Sequence, residues 1–360
     1  LAEKVGQLLM FAFWGTTPNE QTRTLIEECH VGGLIYFQRN VKSAAQVYHL
    51  NQALQKQSRV PLFIGVDHEG GMVRRIQKDI TPLPGAMTFS AAQNQKAVYQ
   101  LNLQVAKELK MLGFTHNFTP VGDINTNPYN PVIHARSFGD TKDIVTRYTK
   151  EVITAHQKAG LYCSMKHFLG HGDTFVDSHL GIAKVSKDKK TLMQTEASPF
   201  RCAIRHNIST IMMSHVIYEK IDSMYPASLS PALVKNILKD ELGFKGLVIT
   251  DSLTMGAIWK EYSIEEILIN SLNAGVDMLI FCGKADLAEQ KHIYKTLLTL
   301  VEEGKIAISR INEALEKIWM QKKKFHYKQI EWNSVHKKLS PKKAIILSNK
   351  IYEKSITCVK

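Results

Sequence analysis

The sequence contains few cysteines, and they form no pattern. No two have Cys-x-x-Cys spacing, and the five lie scattered at Cys29, Cys163, Cys202, Cys282 and Cys358. An odd, scattered set argues against both a disulfide framework and a structural zinc site. We therefore expect a reducing compartment, the cytoplasm. Because the chain begins at Leu1 rather than at an initiator methionine, removal of a leader, and with it export or lipid anchoring, stays open.

Long hydrophobic runs are also absent. The runs GLVIT at 246–250 and MLIFC at 278–282 are far shorter than the ~20 residues that span a bilayer, so we expect no membrane span. Apolar residues nevertheless make up 44% of the 360 residues, which is enough for a large buried core.

Acidic residues are scarce at the C-terminal end. Residues 321–360 contain 11 Lys and no Arg against two Glu, so this segment carries +9 of the net charge of +13. No RNP, zinc-finger or helix-turn-helix pattern accompanies the lysines. A solvated tail or linker explains this charge better than a nucleic-acid partner, and we expect no such partner.

Short apolar or β-branched runs alternate with longer segments of helical spacing, which is typical of repeated βα units. Eight candidate strands lie at 7–13, 33–37, 62–67, 115–121, 162–168, 210–216, 246–252 and 277–282. This number of strands favours an α/β fold of the (β/α)8 TIM-barrel type. An open doubly wound sheet is the alternative, but no Gly-x-Gly-x-x-Gly motif follows an early strand.

Four of the intervening helices are predicted to end alike. The segments KMLGF, QKAGL, DELGF and LNAGV each place a glycine after the last helical turn, at Gly113, Gly160, Gly243 and Gly275. Glycine adopts the left-handed cap that turns the chain towards the next strand.

The texture of the sequence changes after Lys324. We assign residues 1–324 to the barrel and residues 325–360 to a basic linker followed by the opening of a truncated second domain. In this segment Pro341 opens a helix-like stretch, and SITCV at 355–359 resembles the start of a strand.

Polar side chains concentrate where the predicted strands end, which is where a barrel carries its working residues. Outside the loop after the fifth strand they are Asp67, His68, Glu69 and Arg75 after the third strand, Asp123 and Arg136 after the fourth, His215 and Asp251. The loop after the fifth strand, KHFLGHGDTFVDSH, is the densest and holds Lys166, His167, His171, Asp173, Asp177 and His179. So many polar side chains around two glycines point to chemistry rather than packing.

Two mechanisms use such residues: metal ligation, or acid-base catalysis with sugar recognition and no metal. The His-x-His motif with which amidohydrolase-type barrels begin their ligand set is missing from strand 1, so we expect no metal and no cofactor. Asp251 leaves two interpretations open. It could cap the helix that starts in SLTMGAI, or it could be the rim carboxylate of a retaining glycosidase.

The sequence resembles glycoside hydrolase family 3 and, within it, the β-N-acetylhexosaminidase branch. The matching segments are DHEGGMVRR, NPVIHARSFG, KHFLGHGDTFVDSH, IMMSHV, YPASLS and ELGFKGLVITDSLTMGAI, in this order over residues 5–320. The resemblance implies a barrel that hydrolyses glycosides. The tail LSNKIYEKSITCVK is similar to the start of the αβα domain that many members carry after the barrel.

The resemblance also implies catalytic roles. Asp251 matches the nucleophile that forms a covalent glycosyl-enzyme intermediate. His179 matches the acid/base, and Asp177 matches the carboxylate that orients and polarises His179. Histidine suits this task because its unperturbed pKa near ~6.5 lets it give and take a proton near neutrality. We expect the Asp251 carboxylate and the acid/base to lie within the ~5 to 5.5 Å typical of retaining pairs.

Six further positions match substrate contacts. Lys166 and His167 match residues that hold sugar hydroxyls and the N-acetyl side, and Arg136 matches a further contact. Asp67 matches the carboxylate that binds the distal hydroxyls of the terminal sugar. Arg75 and His215 match weaker pocket positions, for which a barrel-wall salt bridge and a satisfied core histidine are open alternatives.

Three positions depart from the family pattern. Met72 stands where many relatives have Arg, and His68 and His134 stand where they have Gln or Gly. The contacts around the sugar rim are therefore the least defined part of the site.

The resemblance therefore implies retaining hydrolysis of terminal, non-reducing β-N-acetylglucosamine. The expected substrates are GlcNAc-MurNAc or GlcNAc-anhydroMurNAc fragments in bacterial cell-wall turnover, or chitooligosaccharides, and the expected oligomeric state is a monomer. A phosphorylase is an alternative, since a neutral histidine would not repel phosphate. A β-glucosidase, a metal-dependent amidohydrolase and an inactive sugar-binding barrel are the others.

Overall fold

The eight predicted strands all exist, and they close into one parallel barrel. The computed structural model describes residues 1–175, 181–283, 286–324 and 330–356. In chain order the barrel strands are β1 Leu9–Ala12, β2 Gly33–Tyr36, β3 Phe63–Val66, β4 His116–Asn117, β5 Tyr162–Phe168, β6 Thr210–Met213, β7 Leu247–Ser252 and β8 Met278–Phe281. Strand β1 pairs in parallel with both β2 and β8, so the barrel has no open edge. The (β/α)8 prediction is confirmed, and the open sheet is wrong.

Strand β4 is much shorter than the predicted segment 115–121. Its ladder covers only His116 and Asn117, and Val121 returns to the sheet through an isolated bridge to Lys166. Pro120 lies between them and has no N–H to donate, so it interrupts the ladder.

Helices cover the outside of the barrel between its strands. Their bounds are Ala2–Gly6, Glu20–Glu27, Ala44–Gln57, Ala86–Ala91, Gln95–Met111, Lys142–Ala159, Lys189–Gln194, Ala197–Arg205, the π-helix Ala232–Glu241, Gly256–Trp259, Ile264–Ala274, Leu287–Glu302 and Ile308–Lys322. Short 3-10 turns occur at Gln38–Asn40, His134–Arg136 and Ala227–Leu229. Within the described ranges no helix combines the length and apolarity needed to cross a membrane.

Two small ribbons lie outside the barrel in the part of the chain that the structure describes. His68–Gly70 pairs antiparallel with Val73–Arg74, and Ala183–Val185 pairs in parallel with Val216–Tyr218. Both belong to loops that follow barrel strands, so they shape the functional end of the barrel.

The predicted glycine caps are confirmed. Gly160 and Gly275 end their helices in the left-handed region, with φ of 70° and 106°. Gly113 and Gly243 also have positive φ, at 96° and 71°. A side chain at such a position would be strained, so these glycines fix where the chain leaves each helix.

The core fills the barrel and the layer between barrel and helices. Strands β1, β2, β3, β6 and β8 are buried at every position. Burying each large apolar side chain stabilises the fold by roughly 1.5 to 3 kcal/mol before entropy is counted. In β7 the burial is complete except at Asp251, which therefore stands out as a polar residue at the open end of the barrel.

The basic C-terminal segment packs on the barrel over the part that the structure describes. Its helices, Trp332–His336 and Lys342–Ser355, bury Val335 and Ile351, and Leu339 is buried in the turn between them. The second helix contacts the helices Ala86–Ala91 and Gln95–Met111. The lysines of these helices are exposed. The described part of the segment thus exposes its lysines to solvent and packs its apolar side chains against the barrel domain. The boundary at 324 and the second domain stay predictions, and the predicted strand start lies almost wholly outside the described residues.

Candidate active site

A cavity of about 510 Å³ opens at the carboxyl ends of the barrel strands. Six of the nine predicted site residues line it together: Asp67, Arg75, Arg136, Lys166, His167 and Asp251. They come from the ends of β3, β5 and β7 and from the loops after β3 and β4. The other three are His215, which lies behind the cavity wall, and Asp177 and His179, which lie outside the described residues.

Asp251 presents its carboxylate to the cavity. Its side chain is 25% exposed although its neighbours in β7 are buried. Its Oδ1 accepts a hydrogen bond of 2.7 Å from the N–H of Ser252. The next helix starts at Gly256, and Met255 rather than Asp251 occupies its cap position. The helix-cap interpretation of Asp251 is therefore wrong, and its carboxylate is available to a ligand.

The surroundings of Asp251 favour the charged form. Burial works to raise the pKa of Asp251, but the nearby imidazoles of His167 and His215 and the Ser252 N–H lower it to about 2. At neutral pH Asp251 is thus an ionised carboxylate inside a cavity, the state that a nucleophile needs.

His167 is held between two carboxylates. Its Nδ1 lies 2.7 Å from Oδ2 of Asp123, and its Nε2 lies 3.9 Å from Oδ2 of Asp251. Asp123 is fully buried, and its Oδ1 also accepts the backbone N–H groups of His167 and His171 at 3.2 and 2.7 Å. Burial opposes ionisation of Asp123, yet His167 and His171 keep its pKa below the usual range. Asp123 therefore fixes which nitrogen of His167 faces Asp251.

Lys166 and Arg136 share the buried carboxylate of Glu69. Lys166 Nζ lies 2.7 Å from Glu69 Oε1, while Arg136 makes a two-pronged contact to Glu69 through Nε at 3.0 Å and Nη2 at 2.8 Å. Lys166 also donates to Oδ1 of Asp67 at 2.6 Å. Burial disfavours the charge on Glu69, but the two cations hold the pKa of this carboxyl far below its usual value. The result is a rigid array of donors and acceptors suited to sugar hydroxyls.

Glu69 and Asp123 were singled out in the sequence only as polar residues near strand ends. Neither residue was predicted to belong to the site, although each holds a predicted site residue in place. The available signal was their position, two residues after Asp67 and just past β4. Their partners become visible only in three dimensions.

Arg75 and His215 have different surroundings. Arg75 lines the cavity, where its Nη2 lies 3.6 Å from Asp67 Oδ2. His215 is buried, with Nδ1 2.8 Å from Ser228 Oγ and Nε2 2.9 Å from the Ser252 carbonyl oxygen. His215 therefore supports the end of β7 behind Asp251 instead of lining the cavity.

The loops after β4 and β5 are joined by side-chain hydrogen bonds. Asn127 donates to the Thr174 carbonyl at 2.9 Å, and Asn130 donates to the His171 carbonyl at 2.8 Å. A side chain at Gly172 would collide with the Ile124 carbonyl oxygen, so the close approach requires glycine. His171 lines the cavity, and burial lowers its pKa to about 4, so its ring is neutral at pH 7.

The family departures lie away from the cavity lining. His68 is buried, and burial lowers its pKa to about 3. His134 is exposed, and Met72 is 76% exposed. None of the three is among the residues that line the cavity.

The described residues contain no group of three or more His, Cys, Asp or Glu placed to hold a metal ion. The cavity carboxylates Asp67 and Glu69 are engaged by Lys166, Arg75 and Arg136. The described site is thus arranged for hydrogen bonding to a polar ligand beside the Asp251 carboxylate.

Comparison with known proteins gives the site its context. The family model for the N-terminal domain of glycosyl hydrolase family 3 matches residues 1–320. The chain is 33% identical over 328 residues to beta-hexosaminidase A of Pseudoalteromonas piscicida, covering 84% of this chain but only 55% of that protein. It is 34% identical over 288 residues to the beta-hexosaminidase of Nitrosomonas eutropha, covering 78% of this chain and 82% of that protein.

A solved structure agrees with this assignment. The family 3 beta-N-acetylglucosaminidase of Paenibacillus sp. str. FPU-7 superposes with a TM-score of 0.93 at 36% identity, covering 99% of this chain and 68% of that one. The expected family is therefore confirmed: the chain belongs to glycosyl hydrolase family 3, a family of glycoside hydrolases.

Proposed function

We propose that the protein hydrolyses terminal, non-reducing β-N-acetylglucosamine residues with retention of configuration. The observation that carries this proposal is the Asp251 carboxylate at the end of β7, exposed to a cavity that Asp67, Lys166 and Arg136 also line. The names of the two curated relatives and of the Paenibacillus structure favour a hexosaminidase over a β-glucosidase.

Asp251 acts as the nucleophile in this proposal. One of its oxygens attacks the anomeric carbon, and a glycosyl ester forms as the bond to the leaving oxygen breaks. His179 gives its proton to that oxygen, so the departing group leaves as a neutral alcohol. In the second step His179 takes a proton from water, the water oxygen attacks the same carbon, and Asp251 is released. Asp177 holds the imidazole in the required tautomer.

The remaining cavity residues bind the terminal sugar. Asp67 and Lys166, 2.6 Å apart, offer an acceptor and a donor for distal hydroxyls, and Arg136 offers further donors. His167 stands beside Asp251 and contacts the sugar near the N-acetyl side. Arg75 contacts Asp67, and His215 supports the end of β7. These two residues therefore affect sugar binding indirectly, by positioning other residues of the pocket.

The natural substrate that we propose is a peptidoglycan fragment, GlcNAc-MurNAc or GlcNAc-anhydroMurNAc, processed in the cytoplasm of a bacterium by a monomer. This part of the proposal follows from the family resemblance. Comparing turnover of such fragments with turnover of chitobiose tests it, because a preference for chitobiose would assign the enzyme to chitin instead.

The first experiment compares the p-nitrophenyl glycosides of β-GlcNAc and β-glucose. The wild type, Asp251→Ala, His179→Ala and the surface control Asp240→Ala are assayed with and without EDTA. We expect turnover of the GlcNAc substrate, no effect of EDTA, and a loss of kcat of about 10³-fold or more in Asp251→Ala. Equal turnover of both glycosides would contradict the hexosaminidase proposal, and loss with EDTA would favour a metal enzyme.

Retention alone does not identify Asp251, since the N-acetyl group of the substrate could itself attack the anomeric carbon. Azide added to Asp251→Ala distinguishes the two routes. If Asp251 is the nucleophile, azide restores turnover and yields the α-glycosyl azide, because it enters the space that the carboxylate leaves. Product analysis in phosphate buffer separates hydrolysis from phosphorolysis, since a phosphorylase would release GlcNAc-1-phosphate.

A further inference from the structure

A second group of side chains lines the cavity on the side of β1, β2 and β3, beyond Asp67. It consists of Trp14, Phe37, Arg39 and Arg75, which we call the arginine platform. Phe37, Arg39 and Arg75 line the cavity, and Trp14 covers Arg39 from outside with 51% of its own surface exposed. None of the predicted roles uses Trp14, Phe37 or Arg39.

The two arginines stack on one aromatic ring. The guanidinium carbon of Arg39 lies 4.9 Å from the centroid of Phe37, and that of Arg75 lies 5.2 Å from the same centroid. Arg39 also stacks on Trp14 at 4.5 Å. Contacts of this kind stabilise a cation and keep its planar face in place.

Arg39 is further fixed by the backbone. Its Nε donates to the Phe13 carbonyl at 3.2 Å. The neighbouring Asn40 is buried and donates to the carbonyls of Phe13 and Gly15 at 2.9 and 3.0 Å. Asn40 Oδ1 accepts the Phe37 N–H at 2.9 Å. The loops after β1 and β2 are thus tied together, so Arg39 is held in position before any ligand arrives.

Arg39 differs from the other long basic side chains of the cavity in its charge balance. Arg75 faces Asp67, Arg136 faces Glu69, and Lys166 faces both carboxylates. Arg39 makes no ion pair with any carboxylate in the ranges that the structure describes. Burial, and to a smaller extent the charge of Arg75, lowers the pKa of Arg39. A positive charge is therefore held at the cavity wall without a counterion from these residues.

We propose that the arginine platform is a subsite for a tetrahedral oxyanion, namely a sulfate or phosphate ester on a distal hydroxyl of the terminal sugar. The inference rests on the proposed function and extends it from neutral to anionic terminal sugars. Asp67 is proposed to bind the distal hydroxyls, and Arg75 contacts Asp67. The arginine platform therefore lies next to the position proposed for these hydroxyls.

The chemistry of the platform suits this group. A guanidinium presents a planar set of donors that matches sulfate and phosphate oxygens, and it stays charged at any working pH. An ester oxyanion near Arg39 would supply the counter-charge that the described residues lack. The aromatic faces of Trp14 and Phe37 shield the pair from water and thereby strengthen it.

The test compares p-nitrophenyl β-GlcNAc with its 6-sulfate ester. The proteins are the wild type, Arg39→Met, Arg39→Lys and the control Arg59→Met, which removes the charge of a side chain that is 87% exposed. We expect Arg39→Met to lower kcat/KM for the 6-sulfate about 10-fold or more, while turnover of the unsubstituted glycoside changes less than about 3-fold. Arg39→Lys should restore part of the difference, and Arg59→Met should behave as wild type.

Binding of GlcNAc 6-sulfate measured by calorimetry decides the inference independently of turnover. If the wild type hydrolyses neither glycoside, the proposed function fails, but Arg39-dependent binding of the 6-sulfate would still support the subsite. Equal effects of Arg39→Met on the sulfated and the unsubstituted sugar would overturn the proposed subsite.

Inorganic phosphate is the second probe. Arg39-dependent binding of phosphate without any Arg39-dependent preference for the sugar ester would assign the platform to a free anion and likewise overturn the proposal.

Discussion

The Nε2 atom of His167 lies 3.9 Å from Oδ2 of Asp251, while the other ring nitrogen is bound by the buried Asp123. The imidazole of His167 therefore links the carboxylate of Asp251, which faces the cavity, to the buried carboxylate of Asp123. Asp123 sets the orientation of the ring, and the ring helps to keep Asp251 ionised. This coupling makes the environment of the proposed nucleophile depend on a residue that does not line the cavity.

Asp123→Asn tests that coupling. The amide has the same shape, but it carries no charge and cannot accept at both ends. We expect kcat to fall about 10-fold or more while KM changes less, because a misoriented His167 disturbs Asp251 more than it disturbs sugar binding. The free energy of unfolding should drop by about 1.5 to 3 kcal/mol. Steady-state kinetics and urea unfolding measure both, with the surface variant Asp240→Asn as the control. An unchanged kcat in a folded Asp123→Asn protein would contradict the positioning role.

Glu69→Gln tests the shared carboxylate beneath Lys166 and Arg136. Removing the charge leaves two buried cations with less compensation, and we expect a loss of stability of about 3 kcal/mol at pH 7. Because the folded-state pKa of Glu69 lies below its usual value of 4.5, its stabilising charge is fully present above that pH and is lost as the pH falls further. The difference in unfolding free energy between wild type and variant should therefore shrink in acid. A difference that stays constant from pH 7 to pH 3 would show that the charge is not what stabilises this network.

The sequence was sufficient to predict the barrel because every strand is a short apolar run bounded by turn residues. The glycines at positions such as Gly160 and Gly275 marked the helix ends, since left-handed caps require them. It was also sufficient to bring Asp67, Lys166 and Asp251 to one cavity, because the carboxyl ends of parallel strands meet at one end of a barrel.

Two features were not predicted, and both depend on contacts between segments that are distant in the sequence. The partnerships of Glu69 and of Asp123 depend on which side chains meet across different strands, and no local spacing records that. Likewise, the run of lysines after residue 321 dominated the interpretation of the C-terminal segment, whereas its few apolar residues decide where it lies. The charge pattern shows which face of the segment is solvated. The apolar residues of the opposite face have to be considered separately, because they determine where the segment packs.

The buried amine of Lys322, at the amino-terminal end of the barrel strands, makes the stability of the protein depend on pH. Its Nζ is buried, where it donates to Gln7 Oε1 at 2.7 Å and to the Gly32 carbonyl at 2.9 Å. Burial lowers its pKa from 10.5 to about 7. Between these values the unfolded chain binds a proton that the folded protein lacks, so the contribution of Lys322 to the free energy of unfolding rises with pH.

The comparison of wild type with Lys322→Met isolates this effect, since all other groups cancel. We expect the stability difference, wild type minus variant, to increase from pH 7 to pH 10 in urea unfolding experiments. Lys323→Met, a change at the exposed neighbouring position, should show a flat difference over the same range. A flat difference for Lys322→Met as well would mean that the amine keeps its proton in the folded protein.

The docked C-terminal helix Lys342–Ser355 is expected to belong to the cooperative fold. Ile351 is completely buried, whereas Ile346 in the same helix is 46% exposed. Ile351→Ala should lower the free energy of unfolding by about 2 to 4 kcal/mol through the cavity it leaves, and Ile346→Ala by less than about 0.5 kcal/mol. Thermal and urea unfolding of the two variants give a matched pair in one helix. Tyr352 in this helix also donates to the Leu83 carbonyl, which accepts the N–H of Gly71 in the loop that carries Glu69. If both variants were equally mild, the helix would not belong to the cooperative fold.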